Sequence, residues 1–179
     1  PERIAKSMFL AGPSPRDPSH PNWRIEALDM LERQGYDGGV FIPLPRDGQW
    51  NHSYIDQVEW ETTHLHMADK VLFWIPRDLN VCRDVAKGES AEKAMNLPAF
   101  TTNVEFGLWV GSGKAILGYP KGAQKVRYLQ NHAGHECVPT AHTLAETLAL
   151  ARVGMGAGSE RVGGEREVPL HIWKLGHFQ

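Results

Sequence analysis

Short, wholly apolar runs alternate along this chain with longer stretches of helical period. Ser7–Ala11 (SMFLA) is continuous enough in its apolar character to predict a buried strand. From Pro21 to Gln34, Trp23, Ala27, Leu28 and Leu31 share one helical face, and Gly35 stops the pattern. Gly39–Leu44 (GVFIPL) predicts a second strand. Ser53 and Asp56 have the spacing of a capping box, opening a helix with a buried stripe of Ile55, Val58, Thr62 and Leu65. Trp60, His64 and Met67 make a neighbouring stripe, with Glu61 between the two. Lys70–Ile75 (KVLFWI) is apolar almost throughout, as expected of a central parallel strand.

Arg77 to Ala99 reads as a long polar loop with a helical turn around Ser90–Met95. Phe100–Lys114 (FTTNVEFGLWVGSGK) follows as a short helix. Thr102 and Glu105 have capping-box spacing, Gly111 and Gly113 end the helix, and its apolar residues fall on nearly every face, which predicts burial. Gly107 inside it implies a close approach of a backbone or a ligand. Ala115–Tyr119 predicts a strand, 123–131 a helix, and Glu136–Val138 a short strand. Thr143–Val153 predicts a helix with Leu144, Leu148 and Ala151 inward. The glycine-rich run 154–164 reads as a loop and Val168–Trp173 as a terminal strand or extended arm.

This alternation predicts an α/β fold, residues 1–179 as one domain, with a mostly parallel sheet of about five strands. Right-handed connections put helices on both faces of such a sheet. The C-terminal ends of the strands then bring together Gly12-Pro13, the 45–52 loop, the segment after Pro76 and the start of the Thr102 helix. Glu105 falls on that side.

Composition narrows the partners. Net charge is −2 with no long run of one sign, so neither a nucleic acid polymer nor an anionic membrane is expected as a main partner. No apolar run approaches the ~20 residues of a membrane span, and no signal-peptide pattern opens the sequence. Cys82 and Cys137 are far apart and follow no metal or redox spacing, so a cytoplasmic location is expected. His132, His135, Glu136 and Cys137 cluster in a glycine-containing loop without a second ligand pair, so neither a metal nor another cofactor is expected.

Glu105 has two readings. It is either a capping-box carboxylate reaching back to the Thr102 amide, kept ionised by the positive end of the helix dipole, or a nucleophile held on the ligand side. Gly12 and Pro13 form the first loop of the sheet, with Arg16 just beyond. Trp50 is a candidate to stack on a flat ligand, whereas Trp60, Trp74 and Trp109 are expected in the core. Arg16 or Arg46 has the chemistry to hold a phosphate. Asp69 stands at the N-terminal end of the central strand, normally opposite the ligand.

FLAGP near the start, WE on the second helix, ADKVLFWIP, and above all TTNVEFGLWVGSGK resemble the nucleoside 2-deoxyribosyltransferase superfamily, in its 2-deoxyribosyltransferase-like branch. The resemblance covers 8–129. It implies a flavodoxin- or Rossmann-like doubly wound fold, a homodimer or larger assembly with shared sites, and cleavage of the N-glycosidic bond of a nucleoside. It assigns Glu105 as the nucleophile and Asp69 as a base contact. The second aspartate that such transferases carry just before the nucleophile is missing between Ala99 and Asn103. Asn103 can orient a group but cannot supply a proton, which leaves Glu61 or Glu92 as the acid. Three readings follow: a deoxyribosyltransferase or related N-glycosidase, a noncatalytic nucleotide-binding module on the same fold, or a glycohydrolase using NAD or an ADP-ribosyl compound.

Overall fold

The computed structural model describes residues 6–15, 22–44, 53–81, 95–156 and 158. Arg16, Arg46, Trp50, Cys82, Glu92, the 45–52 loop and the 168–173 segment lie outside these residues.

The main sheet contains β1 (Ser7–Ala11), β2 (Gly39–Phe41), β3 (Lys70–Trp74), β6 (Ala115–Gly118) and β7 (Thr140–Ala141), in the order β2-β1-β3-β6-β7. Every pairing in it is parallel. Counting only these five strands, the order is 2-1-3-4-5, the flavodoxin-like doubly wound arrangement. β3 is central, as its unbroken apolar run requires. The other two strands, β4 (Asp78–Val81) and β5 (Met95–Leu97), pair antiparallel with each other. They correct the sequence expectation of a loop throughout 77–99. Paired strands satisfy backbone groups that a loop leaves to water.

Alternation along the strands divides the core in two. Met8, Leu10, Leu72, Trp74 and Ile116 pack against α1 (Trp23–Arg33) and α5 (Leu144–Met155). Phe9, Ala11, Val71, Phe73 and Leu117 pack with residues of α2 (Tyr54–Met67), α3 (Phe100–Trp109) and α4 (Arg127–His135). α5 carries Leu144, Leu148 and Ala151 inward, as the sequence predicts. It approaches β6 so closely that a Cβ on Gly118 would lie 2.2 Å from Thr147 Oγ1.

Several expected boundaries and faces shift. β2 ends at Phe41 rather than Leu44, α4 runs over Arg127–His135, and the strand expected at 136–138 forms at Thr140–Ala141. His132 and His135 therefore occupy the last turn of α4, where imidazoles face the negative end of the helix dipole. Leu28, expected inward on α1, is exposed, while the inward position is taken by Arg24. The Ser53–Asp56 capping box of α2 forms as expected. Its apolar stripe does not: Ile55 is exposed, and only Leu65 of the four is fully buried. Trp60 is also exposed rather than core, although its indole stacks on His64 at 3.9 Å.

The largest revision concerns α3. The helix begins at Phe100, with Ala99 in the left-handed region (φ 55°) at its N-cap and no side-chain cap. Arg77 fixes this start from β3's end by donating to the Ala99 carbonyl and to Asn103 Oδ1. Thr102 thus lies within the first turn and Glu105 in the second, so the Thr102–Glu105 capping box is not formed. α3 is also not buried all round. Thr102 and Phe106 are buried, but Phe100, Val104 and Leu108 form an exposed stripe. Among the described residues, a Cβ on Gly107 would meet nothing within 4 Å.

Candidate active site

Among the described residues, a cleft of about 310 Å3 opens at the C-terminal end of β1. This strand has β2 on one side and β3 on the other, the switch point at which such sheets bind ligands. The volume falls at the small end of the range for small-molecule sites. Phe9 and Ala11 form its floor, and Gly12, Pro13 and Ser14 one rim. Tyr54, Gln57, Val58 and Glu61 form the α2 wall, and Pro98 to Thr102 with Glu105 the α3 wall.

Gly12 is required by the way this rim folds. At φ +153° its backbone passes so near the sheet that a Cβ would sit 2.3 Å from the Trp74 carbonyl and 2.9 Å from the Trp23 ring. The next residues are held from below. Trp23 Nε1 donates to the Pro13 carbonyl at 3.0 Å. Arg24 donates to the carbonyls of Leu10, Gly12 and Pro13 and to Ser14 Oγ. Trp23 is therefore a structural tryptophan rather than a stacking platform at the cleft.

The α2 wall explains the broken apolar stripe. Tyr54, Gln57/Val58, Glu61 and Leu65 follow helical spacing, and the polar members of that face look into the cleft instead of the core. Gln57 Nε2 donates to Glu61 Oε1 at 2.8 Å, orienting that carboxyl. Glu61 and Glu105 line the same cleft, from α2 and α3 respectively. Burial and the neighbouring Glu61 carboxyl push the Glu105 carboxyl up from 4.5 to about 7, against the opposing pull of Arg24. This reverses the expectation of a dipole-held anion, because Glu105 lies beyond the first turn of α3 and is largely desolvated.

Four residues named from the sequence thus line one cleft: Gly12, Pro13, Glu61 and Glu105. Asn103 does not join them, since its side chain accepts from Arg77. Asp69 does not either. It lies before β3, at the end of the sheet opposite the cleft, where its Oδ2 accepts from the Ser7 amide at 2.9 Å. The sequence reading missed Gln57 and Arg24; the signal for Arg24 was a basic residue beside Trp23 at an inward helical position.

The nucleoside 2-deoxyribosyltransferase-like family model matches residues 5–123. This span holds the switch-point strands, both walls of the cleft and both carboxyl groups. The chain belongs to the nucleoside 2-deoxyribosyltransferase-like family. No curated protein matches the sequence. A second, larger groove of about 860 Å3 adjoins the cleft through Arg24, Pro43, Gln57 and Glu61, and is walled by apolar side chains including Val40, Phe41, Ile42 and Trp60. Among the described residues, no helix is long and apolar enough to cross a membrane.

Proposed function

We propose that this protein cleaves the N-glycosidic bond of a nucleoside or nucleotide and transfers the sugar to another base or to water. The observation that carries the reading is the pair of carboxyl groups, Glu61 and Glu105, lining the switch-point cleft. Loss of the base builds positive charge on the sugar ring. Glu105, as a carboxylate, stabilises that charge and attacks the anomeric carbon to form a glycosyl ester. The proton that Glu105 gives up on becoming a carboxylate passes to Glu61, which delivers it to the departing base, a contribution of typically ~10²–10⁴-fold. In the second half-reaction a free base or water attacks the anomeric carbon of the sugar and Glu105 leaves as the carboxylate. Glu61 then takes up a proton from the incoming nucleophile. A single pair thereby serves both halves, and water exclusion decides between transfer and hydrolysis.

This division of labour uses Glu61 where the related transferases have an aspartate near the nucleophile. Asp69 has no part in it, given its place at the far end of the sheet. A 2′-hydroxyl withdraws electrons from the ring cation, so 2′-deoxy substrates react faster in this scheme. Assembly is part of the proposal. Phe100 borders the cleft and begins the exposed stripe continued by Val104 and Leu108, so a second copy of the chain covering this stripe would also border the site.

The test is a panel of nucleosides and nucleotides, each with and without a second free base, following base release and base exchange. The reading expects release with at least one deoxynucleoside or its phosphate, abolished in Glu105→Gln. Binding without release across the panel would instead support a noncatalytic nucleotide-binding module. Nicotinamide release from NAD would redirect the assignment to an ADP-ribosyl donor.

A further inference from the structure

Among the described residues, Arg24 is the largest fully buried side chain, at 1% exposure, and it lines the cleft with Glu61 and Glu105. Its donors are taken by neutral acceptors. Nε bonds the Leu10 carbonyl at 3.1 Å, Nη1 bonds Ser14 Oγ at 3.1 Å, and Nη2 bonds the Gly12 carbonyl. The Trp23 ring lies 4.6 Å from its Cζ. A guanidinium held in this way has a fixed position but no neutralising hydrogen-bond partner among these contacts. Burying a full charge is costly unless an opposite charge lies nearby. The opposite charge is across the cleft wall, on the carboxyl pair.

We propose that Arg24 is a charge-setting residue, whose fixed cation beside the Glu61–Glu105 pair favours the ionised form of Glu105 and so lets it give up its proton. This rests on the proposed role of the pair. Arg24 touches neither the sugar nor the base in this scheme, so it is a positioning residue, acting through the β1–α1 loop and through charge. Among the described residues, the charged or titratable groups lining the cleft with Glu105 are Glu61 and Tyr54 from α2 and Arg24 from α1, whereas β1 and its loop present the uncharged Phe9, Ala11, Gly12, Pro13 and Ser14. The neighbouring groove adds Asp56 and His64 beyond Glu61. The electrostatic direction agrees with the geometry: Arg24 lowers the Glu105 proton affinity that burial and Glu61 raise, and both glutamates favour the charged form of Arg24, which burial disfavours.

The experiment is a pH titration of glutamate side-chain carboxyl carbons by NMR in wild type, Arg24→Lys, Arg24→Gln and Arg24→Met, with the Glu105 signal assigned from Glu105→Gln. The Gln and Met variants should move the Glu105 midpoint upward by about one pH unit or more, a tenfold gain in proton affinity. Arg24→Lys, which keeps the charge but loses the fork, should stay close to wild type. Folded Gln and Met variants with an unmoved midpoint would overturn the proposal. Should the uncharged variants unfold at pH 8, charge-setting requires that acidification to pH 5, or addition of Glu105→Gln, restores their folding. Failure of both rescues would mean that Arg24 only scaffolds the loop, which also overturns the proposal. The titration needs no turnover, so an inactive wild type would count against the glycosidase reading while leaving this test intact.

Discussion

Replacing Glu105 by Gln separates the electrostatic account of the site from a purely structural one. The Glu105 carboxyl is pushed up from 4.5 to about 7 by burial and by Glu61. A carboxyl that ionises later in the folded protein than in the unfolded chain leaves stability intact below the unfolded value. That stability is lost as pH rises between the two values, and no more is lost above about 7. At about 1.36 kcal/mol per pH unit, a rise from 4.5 to about 7 corresponds to a loss of about 3 kcal/mol at pH 8. Gln cannot ionise, and its amide can donate to Glu61, so the variant escapes this loss. For a chain of this length each 1 kcal/mol moves the melting temperature by about 2–4 °C. Thermal unfolding of both proteins from pH 4 to pH 8 should therefore give curves that nearly coincide at pH 4. By pH 8 the variant should melt about 6–12 °C higher. Base release by the variant should drop by several orders of magnitude at every pH. Parallel stability curves for the two proteins would refute the reasoning, because Glu105 would then ionise as an ordinary exposed glutamate.

Other consequences are equally open to measurement. Glu61→Gln should lower base release by about 10²–10⁴-fold for natural bases and by much less for a base that leaves without protonation, a contrast read directly from initial rates. Gly12→Ala forces a Cβ to within 2.3 Å of the Trp74 carbonyl and should destabilise the fold by about 1–3 kcal/mol in denaturant titrations. Leu108→Asp puts a charge on the outer stripe of α3 and should convert an assembly into monomers by light scattering at micromolar concentration. A wild-type protein that is itself monomeric there would remove the assembly from the account.

β1, β3 and β6 were legible because they carry unbroken apolar runs, whereas the edge strands β2 and β7, short and less apolar, formed with other bounds than expected. The cleft was legible in outline for a topological reason: Gly12 and the helix of Glu105 follow strands whose C-terminal ends must lie on one side. What escaped was set by contacts distant in sequence. The start of α3 depends on Ala99 in a left-handed conformation and on Arg77, 22 residues earlier, bonding its carbonyl. The Thr102-x-x-Glu105 pattern alone favours the wrong cap. On α2 the apolar stripe was misread because a helix that lines a polar cleft turns Gln57 and Glu61 inward and leaves Ile55 in solvent. Arg24 escaped because a buried cation is explained only by the loop carbonyls and carboxyls it meets in the folded chain.

The central claim is that Glu105 forms a covalent bond to the sugar. The most direct measurement uses a 2-fluoro-2-deoxynucleoside, in which the fluorine destabilises the ring cation and slows both formation and breakdown of the ester, so that the ester accumulates when its breakdown is the slower step. After incubation and proteolysis, mass spectrometry should find the peptide containing Glu105 heavier by the mass of the fluorosugar, with the added mass on Glu105 itself. A label on Glu61 or any other residue, or base release from this substrate with no adduct at any time, would contradict the account.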